Sequence, residues 1–135
     1  MMAGGVRLSH VGIAVPDLEA AIAHFAARLG VAPGPVRVNE AQGVRLVQFD
    51  LGNACVELLS PLTDQSPVAA FLARNPRGGL HHLALGSADL DGDLEAQRVA
   101  GVRVLGEPGV NVFGKRMAFL HPADMLGVLI ELEGD

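Results

Sequence analysis

The chain has 135 residues, half of them hydrophobic, with a formal net charge of −5, no Trp or Tyr and a single cysteine. This length suits one domain with a core, and the negative charge without a basic aromatic surface predicts that no nucleic acid is bound. The lone cysteine excludes an internal disulfide and no apolar run is long enough to span a membrane, so we expect a cytoplasmic protein with no membrane partner.

The first half of the chain reads as a strand, a helix and further strands. Apolar residues around position 13 alternate as in a strand, and Asp17 follows where its side chain can cap a helix. Leu18 and its apolar successors recur at helical spacing until Gly30 ends the pattern. Strand-like segments follow at 44–51 and 53–60. We therefore predict one module over about residues 6–62.

The second half repeats this order. SHVGIAVPDL, beginning at Ser9, aligns with HHLALGSADL, beginning at His81, at a constant offset of 72. A helix is predicted from Asp89 to Gly101, followed by strands at 115–121 and 126–133. Pro67 begins a helical segment that has no counterpart in the first half, which predicts a connecting helix over about residues 66–76. The second module then covers about residues 79–134.

Strand periodicity selects one histidine in each half. Because side chains alternate across a strand, His10 lies opposite the helix-facing residues Val11 and Ile13. By the same rule His82 is the equivalent of His10, and His81 faces the other way. We expect small residues on the histidine face to leave open space before the imidazoles: Gly12, Ala14, Ala84 and Gly86.

Carboxylates recur on the same face. Glu57 and Glu131 each follow a similar apolar context, 74 positions apart. A carboxylate among aliphatic residues costs several kcal/mol unless a cation or metal pairs with it. A lone strand histidine is more often a hydrogen-bonded core residue, but two His and two Glu on one face favour a divalent ion such as Zn, Co, Ni or Mn.

The sequence resembles the vicinal oxygen chelate superfamily and, within it, the methylmalonyl-CoA epimerase family. The likeness covers nearly the whole chain, and its most specific parts are DQSPVAAFL, beginning at Asp64, and FLHP with GVLIEL near the end. It implies an α+β fold in which two tandem βαβββ modules form a curved mixed sheet around a metal-binding cleft. The family's ligand positions fall on His10, Glu57, His82 and Glu131.

The resemblance implies epimerisation of (2R)- and (2S)-methylmalonyl-CoA by abstraction of the alpha proton through a metal-stabilised enolate. The metal expected is Co²⁺, before Ni²⁺, Mn²⁺ or Zn²⁺, and the expected assembly is a homodimer. Glu131 would serve as one acid-base group. Family members commonly have Glu directly before Gln-Gly-Val, where this chain has Ala41, so Glu40 is the candidate for the second group if the segment is irregular.

Lys115 and Arg116 follow Gly114 in a predicted loop and are candidates for binding the phosphates of the acyl-CoA substrate, although ordinary surface charge explains them equally well. Two other functions stay open. One is a glyoxalase I-like lactoylglutathione lyase, which uses the same metal and the same proton abstraction. The other is a non-catalytic small-molecule-binding member, which the complete set of ligand residues disfavours.

Overall fold

The computed structural model describes residue 2 and residues 4–135, in which strands and helices alternate twice. The described elements, in chain order, are β1 (Arg7–Ala14), α1 (Leu18–Leu29), β2 (Arg37–Asn39), β3 (Val44–Asp50), β4 (Cys55–Pro61), α2 (Pro67–Arg74), β5 (Gly79–Ser87), α3 (Leu90–Val99), β6 (Val104–Val110), β7 (Arg116–Leu120), a 3-10 helix (Pro122–Asp124) and β8 (Ile130–Gly134). Each half thus has the predicted order of one strand, one helix and three strands. The strands that directly follow α1 and α3, β2 and β6, had no sequence assignment of their own.

The helix ends follow the predicted local signals. The side chain of Asp17 accepts a hydrogen bond from the backbone N of Ala20, and that of Asp89 accepts one from Gly92 N. Gly30 adopts a left-handed conformation with φ of 67° after α1, which a residue without a Cβ adopts at no steric cost. Both predicted N-caps are confirmed, and α2 begins at Pro67 as predicted.

Two compact units make up the described chain. One contains the residues up to His10 together with His82–Asp135, and the other contains Val11–His81. The division falls inside β1 and β5, so each of these strands contributes residues to both units. The single-domain organisation expected from the sequence stays a prediction.

In the Val11–His81 unit, the strand order is β2, β3, β4 and then β1. The first three strands are antiparallel, and Gln48 lies directly opposite Glu57. The apolar face of α1 packs on β3 and β4. Its core consists of Val15, Leu18, Val47, Phe49 and Leu58. This packing confirms that Leu58 faces the helix and that Glu57, its neighbour along the strand, faces away.

In the unit of His82–Asp135, the strand order is β1, β5, β8, β7 and then β6. Strands β5 and β8 are parallel, with Ala84 opposite Glu131. Helix α3 buries Leu90 and Leu94 against the sheet. The other buried members of this core are Ala118, Leu120, Ile130 and Leu132. Ile130 and Leu132 therefore face the helix, as strand parity predicted, and Glu131 lies on the opposite face.

Two expectations from the sequence are wrong. Strand β8 begins at Ile130 rather than at position 126, because the 3-10 helix is followed by Leu126 and Gly127 in left-handed conformations (φ of 57° and 87°) that no strand allows. The space expected beside Gly86 is filled, since a Cβ there would lie 2.7 Å from Cζ of Arg7. Among the described residues, no helix is both long and apolar enough to cross a membrane.

Candidate metal centre

The two histidines selected by strand parity meet inside one unit. His10 in β1 is 2% exposed and His82 in β5 is 5% exposed. Their Nε2 atoms are 3.1 Å apart, and the two rings are nearly perpendicular, with an interplanar angle of 87°. Each imidazole lies on the strand face away from its helix, so the period of two along β1 and β5 brings the nitrogens together.

Glu131 lies beside this pair. Parallel pairing of β5 with β8 sets it opposite Ala84, a small residue two positions beyond His82. Its side chain is buried, and Oε1 is 4.0 Å from Nε2 of His82. Phe119, directly opposite Glu131 on β7, presents its ring perpendicular to that of His82. The carboxylate is thus held among imidazoles and an aromatic ring, away from bulk water.

The donor pairs His10–His82 and His82–Glu131 have separations that suit a shared divalent metal ion. Two donors that share one ion lie at most about 4.2 Å apart, which is twice a typical metal–nitrogen distance. The separations of 3.1 Å and 4.0 Å satisfy this limit. Imidazole nitrogen and carboxylate oxygen are also the donor types that Zn, Co, Ni and Mn accept. The sequence-based prediction of a divalent metal site is therefore consistent with this cluster.

Glu57 belongs to the other unit and is held there by a neutral partner. It is 6% exposed on β4, and its Oε1 accepts a hydrogen bond of 3.1 Å from Nε2 of Gln48. Strand parity predicted the direction of Glu57 but did not identify Gln48. A polar residue inside the apolar run of β3 was the available signal, because buried polar groups need partners.

A third buried carboxylate, Glu133, was not among the predicted site residues. It is 5% exposed at the end of β8 and lies on the same strand face as Glu131. One donor atom each from His10, Glu131 and Glu133 lie within 4.8 Å of one another. Ser9 donates a hydrogen bond to one carboxylate oxygen of Glu133 and Asn111 donates one to the other, each at 2.8 Å. These partners are far from Glu133 in sequence, so no local pattern indicated them.

Glu40, the predicted second acid-base residue, lies in an exposed turn between β2 and β3. The turn is fixed by Oδ1 of Asn39, which accepts from Gln42 N, and by the Glu40 carbonyl, which accepts from Gly43 N. The segment is irregular, which is the condition under which Glu40 could substitute for a carboxylate at position 41. Its catalytic role stays a prediction.

The two predicted CoA-binding cations have carboxylate partners. Nζ of Lys115 is 3.9 Å from Oε1 of Glu133. Arg116 donates two hydrogen bonds to Asp91, and this pairing lowers the pKa of the Asp91 carboxyl and raises that of Arg116. Arg116 would have to leave Asp91 to bind a phosphate with both nitrogens, whereas the longer Lys115 contact is easier to exchange.

His81 faces the other way, as strand parity predicted. Its ring packs edge-on against Phe71 of α2, with the ring centroids 5.1 Å apart. Burial lowers the pKa of the imidazole because it penalises the charged form. His81, in β5, therefore packs against the connecting helix.

Comparison with known proteins identifies the family. Residues 9–119 match the model of the glyoxalase/bleomycin resistance protein/dioxygenase superfamily. The ethylmalonyl-CoA/methylmalonyl-CoA epimerase of Cereibacter sphaeroides is 45% identical over 94% of this chain and 96% of its own length.

Solved structures extend this likeness to the fold. The methylmalonyl-CoA epimerase of Mycobacterium tuberculosis matches 99% of this chain and 92% of its own, with a TM-score of 0.90 and 35% identity. A variant of the Streptomyces coelicolor methylmalonyl-CoA epimerase, in complex with 2-nitronate-propionyl-CoA, covers 96% of both chains with a TM-score of 0.89 and 41% identity. The chain therefore belongs to the glyoxalase/bleomycin resistance protein/dioxygenase superfamily and, within it, to the methylmalonyl-CoA epimerase family.

Proposed function

We propose that the protein is a metal-dependent epimerase that interconverts (2R)- and (2S)-methylmalonyl-CoA. The observation that carries the proposal is the buried cluster in which His10, His82 and Glu131 present donors 3.1 and 4.0 Å apart. The relatives in the same family support the substrate class, since one is named for this reaction and another is bound to an acyl-CoA.

His10, His82, Glu131 and Glu57 are the proposed ligands. The first three form the cluster described above, and Glu57 is included because its sequence position repeats that of Glu131 and its carboxylate is buried. Two neutral imidazoles and two carboxylates neutralise a divalent cation. The proposed metal is Co²⁺, which accepts this mixture of nitrogen and oxygen donors.

Removal of the alpha proton is the difficult step. The proton leaves a carbon that lies between a thioester carbonyl and a carboxylate, and negative charge develops as it leaves. When bound, a divalent cation supplies Lewis-acid stabilisation of that charge. The buried walls around Glu131 and His82 keep out water, which strengthens every electrostatic interaction in the site.

Glu131 is the proposed acid-base residue on one face of the substrate. Its carboxylate would take the alpha proton and return it, within hydrogen-bond reach of the reacting carbon. Epimerisation also needs a proton donor on the opposite face. Glu40 is proposed for that role, because this chain has Ala41 where family members commonly have Glu. Glu40 lies in an irregular turn, where side chains need not alternate between two faces as they do in a strand.

Lys115 and Arg116 are the proposed contacts for the CoA phosphates, with Lys115 the easier to recruit. A homodimer and a cytoplasmic location are proposed as well. Sedimentation of the purified protein would test the first, and fractionation of cells would test the second.

The deciding experiment follows the alpha proton directly. Protein loaded with Co²⁺ is incubated with methylmalonyl-CoA in D₂O, and loss of the alpha-proton signal is followed by NMR. We expect rapid exchange that stops after chelation and returns with added Co²⁺. Exchange should fall by about 10²- to 10⁴-fold in Glu131→Gln.

The matched control is Glu107→Gln, which changes the same functional group at an exposed position of β6 and should exchange normally. Absence of exchange in metal-loaded protein would contradict the proposal. Turnover of the hemithioacetal of methylglyoxal and glutathione would then indicate a lyase.

A further inference from the structure

Glu133 has a fixed set of donors that distinguishes it from a metal ligand. Its Oε1 accepts from the Ser9 hydroxyl at 2.8 Å and lies 3.9 Å from Nζ of Lys115. Its Oε2 accepts from Nδ2 of Asn111, also at 2.8 Å. Both oxygens are engaged by protein donors, although the carboxylate lies within reach of the His10 and Glu131 donors. This arrangement suits a residue that orients a neighbouring metal-binding side chain and does not itself bind the metal.

The direction of the Asn111 hydrogen bond is fixed by the backbone. Oδ1 of Asn111 accepts from the backbone N of Phe113 and from that of Lys115. An amide oxygen cannot donate, so the group that faces Glu133 is the NH₂. Glu133 is therefore an acceptor at Oε2, and the ammonium of Lys115, which has no acceptor capacity, favours acceptance at Oε1 as well.

Because Glu133 is an acceptor, the hydrogen bonds of Ser9 to Glu133 and to His10 also have a defined direction. A hydroxyl has one proton, and Ser9 gives it to Glu133. Its oxygen is also 3.2 Å from Nδ1 of His10 and can only accept there. The proton of the His10 ring is thus on Nδ1. The lone pair is on Nε2, the atom that faces His82 at 3.1 Å.

We infer that Ser9 and Glu133 are positioning residues that hold His10 in the Nδ1–H tautomer, with the Nε2 lone pair directed to the metal. This inference rests on the proposed metal site. Without bound substrate, Nζ of Lys115 lies 3.9 Å from Glu133 and offsets the charge of this additional carboxylate. A fixed partner on the second nitrogen also restricts rotation of the ring, which is how outer hydrogen bonds strengthen metal binding.

The test combines the tautomer of His10 with metal affinity. Two-bond ¹H–¹⁵N correlation spectra of chelator-treated protein at neutral pH report which ring nitrogen carries the proton, and calorimetric titration with Co²⁺ gives Kd. We expect Nδ1–H at His10 in the unsubstituted protein. Ser9→Ala should weaken Co²⁺ binding by about 10- to 100-fold and raise the Nε2–H population.

Ser9→Thr keeps the hydroxyl and should recover most of the affinity, whereas Glu133→Gln should behave like Ser9→Ala. Glu107→Gln is the matched control for loss of a carboxylate. Thermal unfolding of the chelator-treated, metal-free variants separates loss of the fold from loss of positioning. An Nε2–H tautomer at His10 in the unsubstituted protein, or an unchanged Kd in Ser9→Ala, overturns the inference.

Failure of the proposed function has a different signature. In that case the unsubstituted protein would either bind no Co²⁺ or bind it without exchanging the alpha proton of methylmalonyl-CoA, while the tautomer of His10 would still show whether Ser9 and Glu133 orient the ring. An Nδ1–H signal that Ser9→Ala abolishes would support the positioning step by itself.

Discussion

The two halves of the chain place a glutamate at the same point of the same strand pattern but surround it differently. Glu57 is followed two residues later by Leu59, which is buried and lies opposite Leu46. Glu131 is followed two residues later by Glu133, which has Ser9, Asn111 and Lys115 as partners. A repeated motif therefore fixes the position of the carboxylates, while the next residue on the face decides whether the surroundings are apolar or charged.

The largest effect is expected when a second carboxylate is placed in the first half, at the position equivalent to Glu133. Leu59→Glu puts a charge opposite Leu46, without the donors that Glu133 has. We expect a loss of about 3–5 kcal/mol in the free energy of unfolding, because the buried charge is uncompensated. Urea denaturation measures the loss. Leu59→Met, which conserves volume, should cost less than about 1.5 kcal/mol. Equal costs for the two variants would show that position 59 tolerates charge.

An intermediate effect is expected at Glu57 itself. Glu57→Gln should weaken Co²⁺ binding by about 10- to 100-fold, since the ligand loses its charge. An amide oxygen can still accept the hydrogen bond from Gln48, so the side chain keeps its orientation. At saturating Co²⁺ this variant should exchange the alpha proton at close to the normal rate, unlike Glu131→Gln. Loss of exchange at saturation would give Glu57 a part in proton transfer.

The smallest effect on stability is expected in the connections between the last two strands of each half. Strands β3 and β4 are joined by a tight turn at Gly52, whereas β7 and β8 are joined through the 3-10 helix that ends at Asp124. Hydrogen bonds from the side chain and backbone N–H of Arg103 lower the pKa of Asp124 from 3.8 to about 2. Because the folded pKa is depressed, the contribution of Asp124 to stability is present above pH 3.8 and is lost as the pH falls towards 2.

Asp124→Asn should therefore be slightly less stable than the unsubstituted protein at pH 7, and the difference should shrink between about pH 4 and pH 2. Urea denaturation across this range measures it. Asp64→Asn, an exposed position in the other unit, is the matched control. A difference that stays constant down to pH 2 would rule out the Arg103 pair as its source.

Strand parity predicted that both histidines and both glutamates lie on the strand face away from the helices, because parity depends only on neighbours along the chain. The same rule could not find Ser9 or Asn111, whose bonds to Glu133 depend on how distant segments pair. The start of β8 was missed for a local reason. The residues before Ile130 are apolar enough for a strand, but left-handed backbone at Gly127 interrupts them.

The hydrogen bond from Ser9 to Glu133 joins residues 124 positions apart. The Val11–His81 unit is continuous in sequence, whereas the unit that contains His10 combines the start of the chain with residues 82–135. Closing so long a loop is entropically costly and slow compared with local pairing. The carboxylate that accepts from Ser9, next to the imidazole of His10, is therefore available only after β8 has been synthesised.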